Sequence, residues 1–115
     1  MLVVEDGWQV ADALKLSLEK MGMVVAGPVA TAGEAQCLAA GSCPDLAVVD
    51  LNLKGEMAHE LMDRLHDRGI RIVVISGYED LPRSLEKFAA ILRKPFTVTT
   101  LLTTLRRVME RNPTP

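Results

Sequence analysis

The sequence predicts an α/β fold, a doubly wound parallel sheet of five strands with helices on both faces. Short β-rich apolar runs alternate with stretches whose apolar residues recur at helical spacing, and five such βα units can be counted. The strand runs are apolar almost without interruption, as expected of strands covered by helices on each side. With 115 residues, 49% of them hydrophobic, the chain has room for one domain and ample material for one core.

The first strand is Leu2-Val3-Val4, followed at once by Glu5 and Asp6. A helix with Ala11, Leu14, Leu18 and Met21 on one face then stops near Gly22. The second strand is expected at 23–26, ended by Gly27-Pro28. Thr31 with Glu34 three residues on forms a capping box for a helix carrying Ala35, Leu38 and Ala39, broken at 41–44. Leu46-Ala47-Val48-Val49 is the third strand and Asp50 closes it. Residues 51–56 read as a loop, after which Ala58, Leu61, Met62 and Leu65 mark a helical stripe ending at Gly69. Residues 72–75 are the fourth strand, with Ser76 at its end. Pro82 in the first turn of 79–87 predicts a short or partly irregular helix there. Ile91-Leu92 is the fifth strand, leading to Lys94. The last helix places Val98, Leu101, Leu102, Leu105 and Val108 on one side and ends at Asn112-Pro113. The domain therefore spans 1–112, with 113–115 as a tail.

Right-handed crossovers leave few ways to order such strands, among them the flavodoxin-like order 2-1-3-4-5, whose switch point lies beside strands one and three. The carboxyl ends of parallel strands share one edge of the sheet. Glu5, Asp6, Asp50, Ser76 and Lys94 would then converge in one crevice holding three acids, a hydroxyl and an ammonium. Singly, each has an ordinary explanation, Asp6 as a helix cap for instance. As a set at successive strand ends, they are poorly explained by coincidence.

A formal charge of −2 leaves no electrostatic footprint for nucleic acid or an anionic membrane, and Arg106, Arg107 and Arg111 fall among helix-like spacing. The longest apolar stretches are strand-sized and the amino terminus lacks the succession of a signal peptide, so the expected location is the cytoplasm. Cys37 and Cys43 match no common zinc spacing and are read as core or surface thiols. His59 and His66 do not complete a metal set, and both lie off the apolar stripe of their helix, facing solvent. The six methionines are read as core filler.

VVED at 3–6, VVDLNLKGE at 48–56, VISGY at 74–78 and RKPF at 93–96 together resemble the receiver domain of two-component response regulators over essentially the whole chain. The SGYEDLP and ILRKPF segments look closest to single-domain receivers of alphaproteobacteria. The resemblance implies that Asp50 accepts a phosphoryl group from a histidine kinase or phosphotransfer protein. Three neighbouring carboxylates repel one another and call for a hard cation, so Glu5, Asp6 and Asp50 would hold Mg²⁺. Family geometry adds the main-chain carbonyl of Asn52 and makes Asp6 the direct ligand, with Glu5 acting through water. Lys94, before a cis proline bond in that family, would neutralise phosphoryl oxygens, and the Ser76 hydroxyl would donate to the phosphoryl group as a switch. The surface of the fourth helix, fifth strand and fifth helix would then change shape toward an unknown downstream protein.

The chain departs from the family pattern at several positions. Ile91 stands where many receivers carry a switching aromatic ring, and Tyr78 is read either as its partial replacement or as a half-exposed loop tyrosine. Lys54 stands where Pro is frequent, and Gly77 leaves little bulk beside the phosphoryl site. A rival reading is a phosphohydrolase with an aspartyl nucleophile, as in haloacid-dehalogenase-like enzymes. Asn52 where that family has a second Asp, and the lack of length for a cap domain, count against it. A third is an unphosphorylated scaffold. The apolar stripe of the last helix is compatible with a homodimer as well as with packing on its own core, and the tail leaves open a linked output domain.

Overall fold

The computed structural model describes residues 1–5, 7–42, 44–53, 56–77 and 87–110. In chain order its elements are β1 (Leu2–Val4), α1 (Trp8–Lys20), β2 (Ala26–Val29), α2 (Ala32–Ser42), β3 (Leu46–Asp50), β4 (Asn52–Leu53), β5 (Glu56–Met57), α3 (His59–Asp67), β6 (Arg71–Ser76), β7 (Ala90–Arg93) and α4 (Val98–Glu110). Five of the strands form one sheet in the order β2-β1-β3-β6-β7, all neighbours parallel, which is the expected 2-1-3-4-5 arrangement.

The two faces of the sheet are filled by alternate residues of the same strands, as a side-chain period of two requires. Leu2 and Val4, Ala47 and Val49, and Ile72 and Val74 pack with Ala35, Ala39, Leu61, Met62 and Leu65 of α2 and α3. Val3, Val48, Val73 and Ile75 pack instead with Leu14 and Leu18 of α1 and Leu101, Leu105 and Val108 of α4. Apolar residues on both sides of every central strand are what made the strand runs look unbroken.

Local chemistry sets the helix ends. The Thr31 hydroxyl accepts from the Glu34 N–H at 3.2 Å and lies 3.0 Å from Glu34 Oε1, so the predicted capping pair starts α2. Helices α1 and α3 end alike: Gly22 and Gly69 sit at φ +84° and +81°, where a Cβ is unfavourable. The following residues, Met23 and Ile70, donate back to the Leu18 and Leu65 carbonyls at 3.1 Å. Met21 lies at the α1 terminus and is half-buried rather than a member of the buried face.

Three expectations need correction. The second strand lies at Ala26–Val29, not 23–26, with Gly27-Pro28 inside it. Strand β2 is an edge strand, where a residue without an N–H can be accommodated. Gly27 adopts φ +99°, with its missing Cβ 2.9 Å from Val3 O and Val29 N, so the backbones approach more closely than any side chain would allow. Met23 and Val25 still pack on the α1/α4 side, which explains why that run looked like a strand. Second, 51–56 is not simply loop: β4 and β5 form a short antiparallel ribbon, pinned by buried Leu51 and Leu53 on the α2/α3 side. Third, Val98 opens α4 but is 52% exposed and Leu102 is half-buried, so the fully buried stripe is Leu101, Leu105 and Val108. The helix predicted at 79–87 lies outside the described residues except for Lys87.

Cys37 is a free, exposed thiol, whereas Cys43 lies outside the described residues. His66 is exposed and meets the Phe88 ring edge-on at 5.7 Å, while His59 is half-buried. Among the described residues no helix is long and apolar enough to cross a membrane.

Candidate functional site

Four strands of the sheet deliver polar groups to one edge. Glu5 follows β1, Asp50 and Ser76 are the last residues of β3 and β6, and Lys94 follows β7. Their level is fixed by the ladder: Asp50 pairs with Ile75 and Ser76 with Arg93. Leu51 N–H donates to Ile75 O at 2.9 Å and Lys94 N–H to Ser76 O at 2.8 Å, which extends the pairing past the strand ends. Glu5, Asp50 and Ser76 are the buried polar residues at this edge, at 3%, 4% and 1% exposure, so the sheet carries them into the protein rather than displaying them.

Lys94 joins the two acids. Its Nζ donates to Asp50 Oδ2 at 2.8 Å and lies 3.6 Å from Glu5 Oε2, while its side chain stays 35% exposed. The Lys94–Pro95 bond is cis, as the resemblance implies. Among the described residues, one ammonium thus faces two buried carboxylates. Glu5 registers the deficit: burial pushes its pKa up to about 7. The adjacent Asp50 carboxyl adds to the rise by favouring a proton held between the two and by its charge, against the Gly7 N–H and the Lys94 ammonium.

Glu5 Oε1 accepts from the Gly7 N–H at 3.0 Å, whereas among the described residues none donates a hydrogen bond to buried Oε2, whose charged neighbour is Lys94 Nζ at 3.6 Å. A buried carboxylate oxygen with spare lone pairs beside a second carboxylate is a hard-oxygen donor set, and these residues fit a small divalent cation such as Mg²⁺. Among the described residues no three His, Cys, Asp or Glu side chains gather as a metal cluster, and Asp6, the third predicted acid, lies outside them. Asn52 stands in β4, two residues beyond Asp50. Tyr78 and Lys54 also lie outside the described residues.

Among the described residues, nothing lies within 4 Å of where a Gly77 Cβ would stand. Ile91 is half-buried and packs toward the α2/α3 cluster. Gly7, whose amide fixes one Glu5 oxygen, was not among the expected site residues. The available signal was a glycine directly after the acidic pair, at the start of a helix.

A family model for the response regulator receiver domain matches residues 1–106. Among solved structures, the signal receiver domain of a modulated diguanylate cyclase from Desulfovibrio desulfuricans G20 is 28% identical, with a TM-score of 0.82 over 96% of this chain and 92% of that one. A CheY-like response regulator receiver domain protein from Methanospirillum hungatei JF-1 is also 28% identical, with a TM-score of 0.84 over 95% and 92%. SdrG from Sphingomonas melonis Fr1 is 27% identical, with a TM-score of 0.80 over 94% and 93%. No curated protein matches the sequence.

Proposed function

The chain belongs to the response regulator receiver domain family, and on that premise we propose that Asp50 is its phosphoacceptor. The observation that carries this reading is the Lys94 ammonium, 2.8 Å from the Asp50 carboxylate and shared with buried Glu5 at the carboxyl edge of the sheet. An Asp50 oxygen attacks the phosphorus of a phosphohistidine, forming a P–O bond as the P–N bond breaks and the imidazole nitrogen leaves with the electron pair. Lys94 offsets the negative charge on the phosphoryl oxygens, and the Ser76 hydroxyl donates to one of them once the acyl phosphate has formed. Hydrolysis reverses the modification: water attacks phosphorus and the Asp50 carboxylate leaves.

Glu5, Asp6, Asp50 and the main-chain carbonyl of Asn52 are the groups we assign to Mg²⁺. When bound, the cation supplies positive charge to the attacking and transferring oxygens. This chemistry makes the protein a signalling module with self-catalysed transfer and dephosphorylation, not an enzyme acting on a separate substrate. Tyr78 takes over part of the switching that Ile91 cannot perform.

The same reading assigns 1–112 to the receiver and 113–115 to a tail, places the protein in the cytoplasm, and pairs it with a sensor histidine kinase or phosphotransfer protein and with an unknown downstream protein, the oligomeric state, monomer or homodimer, being left open. The single-domain alphaproteobacterial type rests on the SGYEDLP and ILRKPF segments.

Intact mass after incubation with acetyl phosphate tests the reading. One hydroxylamine-labile phosphoryl adduct is expected on wild type with Mg²⁺, and none without Mg²⁺ or on Asp50→Asn. An unmodified wild type, with both acetyl phosphate and a phosphorylated histidine donor, overturns it in favour of a scaffold.

A further inference from the structure

We propose that Gly7 is a positioning residue that presets the Glu5 carboxylate for a cation, an inference that rests on the Mg²⁺ assignment above. Glutamate reaches the crevice through one more methylene than aspartate, so its carboxylate needs a second anchor to hold one orientation. The Gly7 N–H supplies it, donating to Oε1 at 3.0 Å from only two residues away.

That amide is itself fixed. Gly7 is the N-cap residue of α1, and its carbonyl accepts from Ala11 N–H at 2.8 Å in the first helical turn. The position does not demand glycine for its backbone, since φ −80° and ψ 105° are open to any L-residue. It favours glycine for space: a Cβ there would stand 3.1 Å from Glu5 Oε1, and the carboxylate would have to move.

With Oε1 tied to the helix start, Oε2 is the oxygen left buried, with no hydrogen bond among the described residues and 3.6 Å from Lys94 Nζ. A carboxylate held by a backbone donor on one oxygen and spare on the other is a preorganised ligand, and outer partners of this kind commonly set metal affinity. Gly7 therefore acts through Glu5, whose Oε1 its amide holds.

The test is a double-mutant cycle read by Mg²⁺ affinity, using the fluorescence of Trp8, the single tryptophan of the chain, or calorimetry. Wild type, Gly7→Ala, Glu5→Ala and the double variant are titrated with Mg²⁺ alone, and their melting temperatures are recorded. Gly7→Ala is expected to weaken Mg²⁺ binding about 10-fold in the wild-type background. In the Glu5→Ala background it should change affinity by less than about 2-fold, because the group it positions is gone. Equal losses in both backgrounds, or a Gly7→Ala variant that does not fold, would assign Gly7 a purely structural role and overturn the proposal. Unchanged affinity in Gly7→Ala removes this inference while leaving the Mg²⁺ assignment standing. A wild type that binds no Mg²⁺ removes both.

Discussion

Val49 and Asp50 are adjacent on β3 and both are buried, at 0% and 4% exposure, yet they sit in different surroundings. Val49, like Ile72 and Val74 on the neighbouring strand, is enclosed by apolar side chains of the α2/α3 layer. One residue further along, the edge formed by Glu5, Asp50 and Ser76 is just as enclosed but, among the described residues, holds two acids against one ammonium. The middle of the sheet contributes stability by excluding water, whereas its carboxyl edge gives up stability by excluding water from charge. Substitutions in the two regions should therefore change stability in opposite directions.

The largest expected effect is at the apolar level. Ile72→Ala empties a fully buried position and should cost about 2–5 kcal/mol in urea unfolding. A much smaller loss would mean that the layer collapses around the gap.

At the polar edge the sign reverses. Folded Glu5 holds its proton up to about pH 7 against an ordinary value of 4.5, so the folded state binds more protons than the unfolded state between those values. The stability this confers is fully present below about pH 4.5 and is lost as pH rises through about 7. Glu5→Gln, which stays neutral, should be more stable than the cation-free wild type at pH 8 by on the order of 3 kcal/mol, and nearly equal to it at pH 4.5. Denaturant titrations at the two pH values check this, and parallel profiles for variant and wild type would contradict it.

Smaller effects lie outside both regions. Thr31→Ala removes the cap of α2 and should cost about 1 kcal/mol by the same titration, a loss that Thr31→Ser largely restores. Val24→Asp, at a residue 85% exposed, should change stability by less than about 0.5 kcal/mol. A larger loss there would place Val24 in an apolar contact.

The contrast between the two regions also decides what could be read from the sequence. Strands β1, β3 and β6 were legible because both of their faces are apolar, and Asp50, Ser76 and Lys94 because each interrupts or follows such a run. The edge strand β2 was not, since Gly27 and Pro28 carry ordinary turn chemistry and only the close approach to Val3 makes them part of a ladder. The β4–β5 ribbon has two residues per strand, too few to establish a period. Val98 matched the helical stripe but is 52% exposed at the start of α4. Within the site, the residues were legible and their arrangement was not: the buried Glu5 Oε2 near Lys94 and the anchor of Oε1 on Gly7 depend on distances of a few ångströms that spacing does not encode.

The most direct test of an apolar centre beneath a cation-seeking edge is the unfolding free energy of wild type at pH 5 and pH 8, each with and without Mg²⁺. Without the cation, stability should be lower at pH 8 than at pH 5. Mg²⁺ should raise it at pH 8 in proportion to the logarithm of its concentration once the site is saturated, and raise it less at pH 5, where Glu5 keeps its proton. Equal stability at both pH values, unchanged by Mg²⁺, would contradict the account.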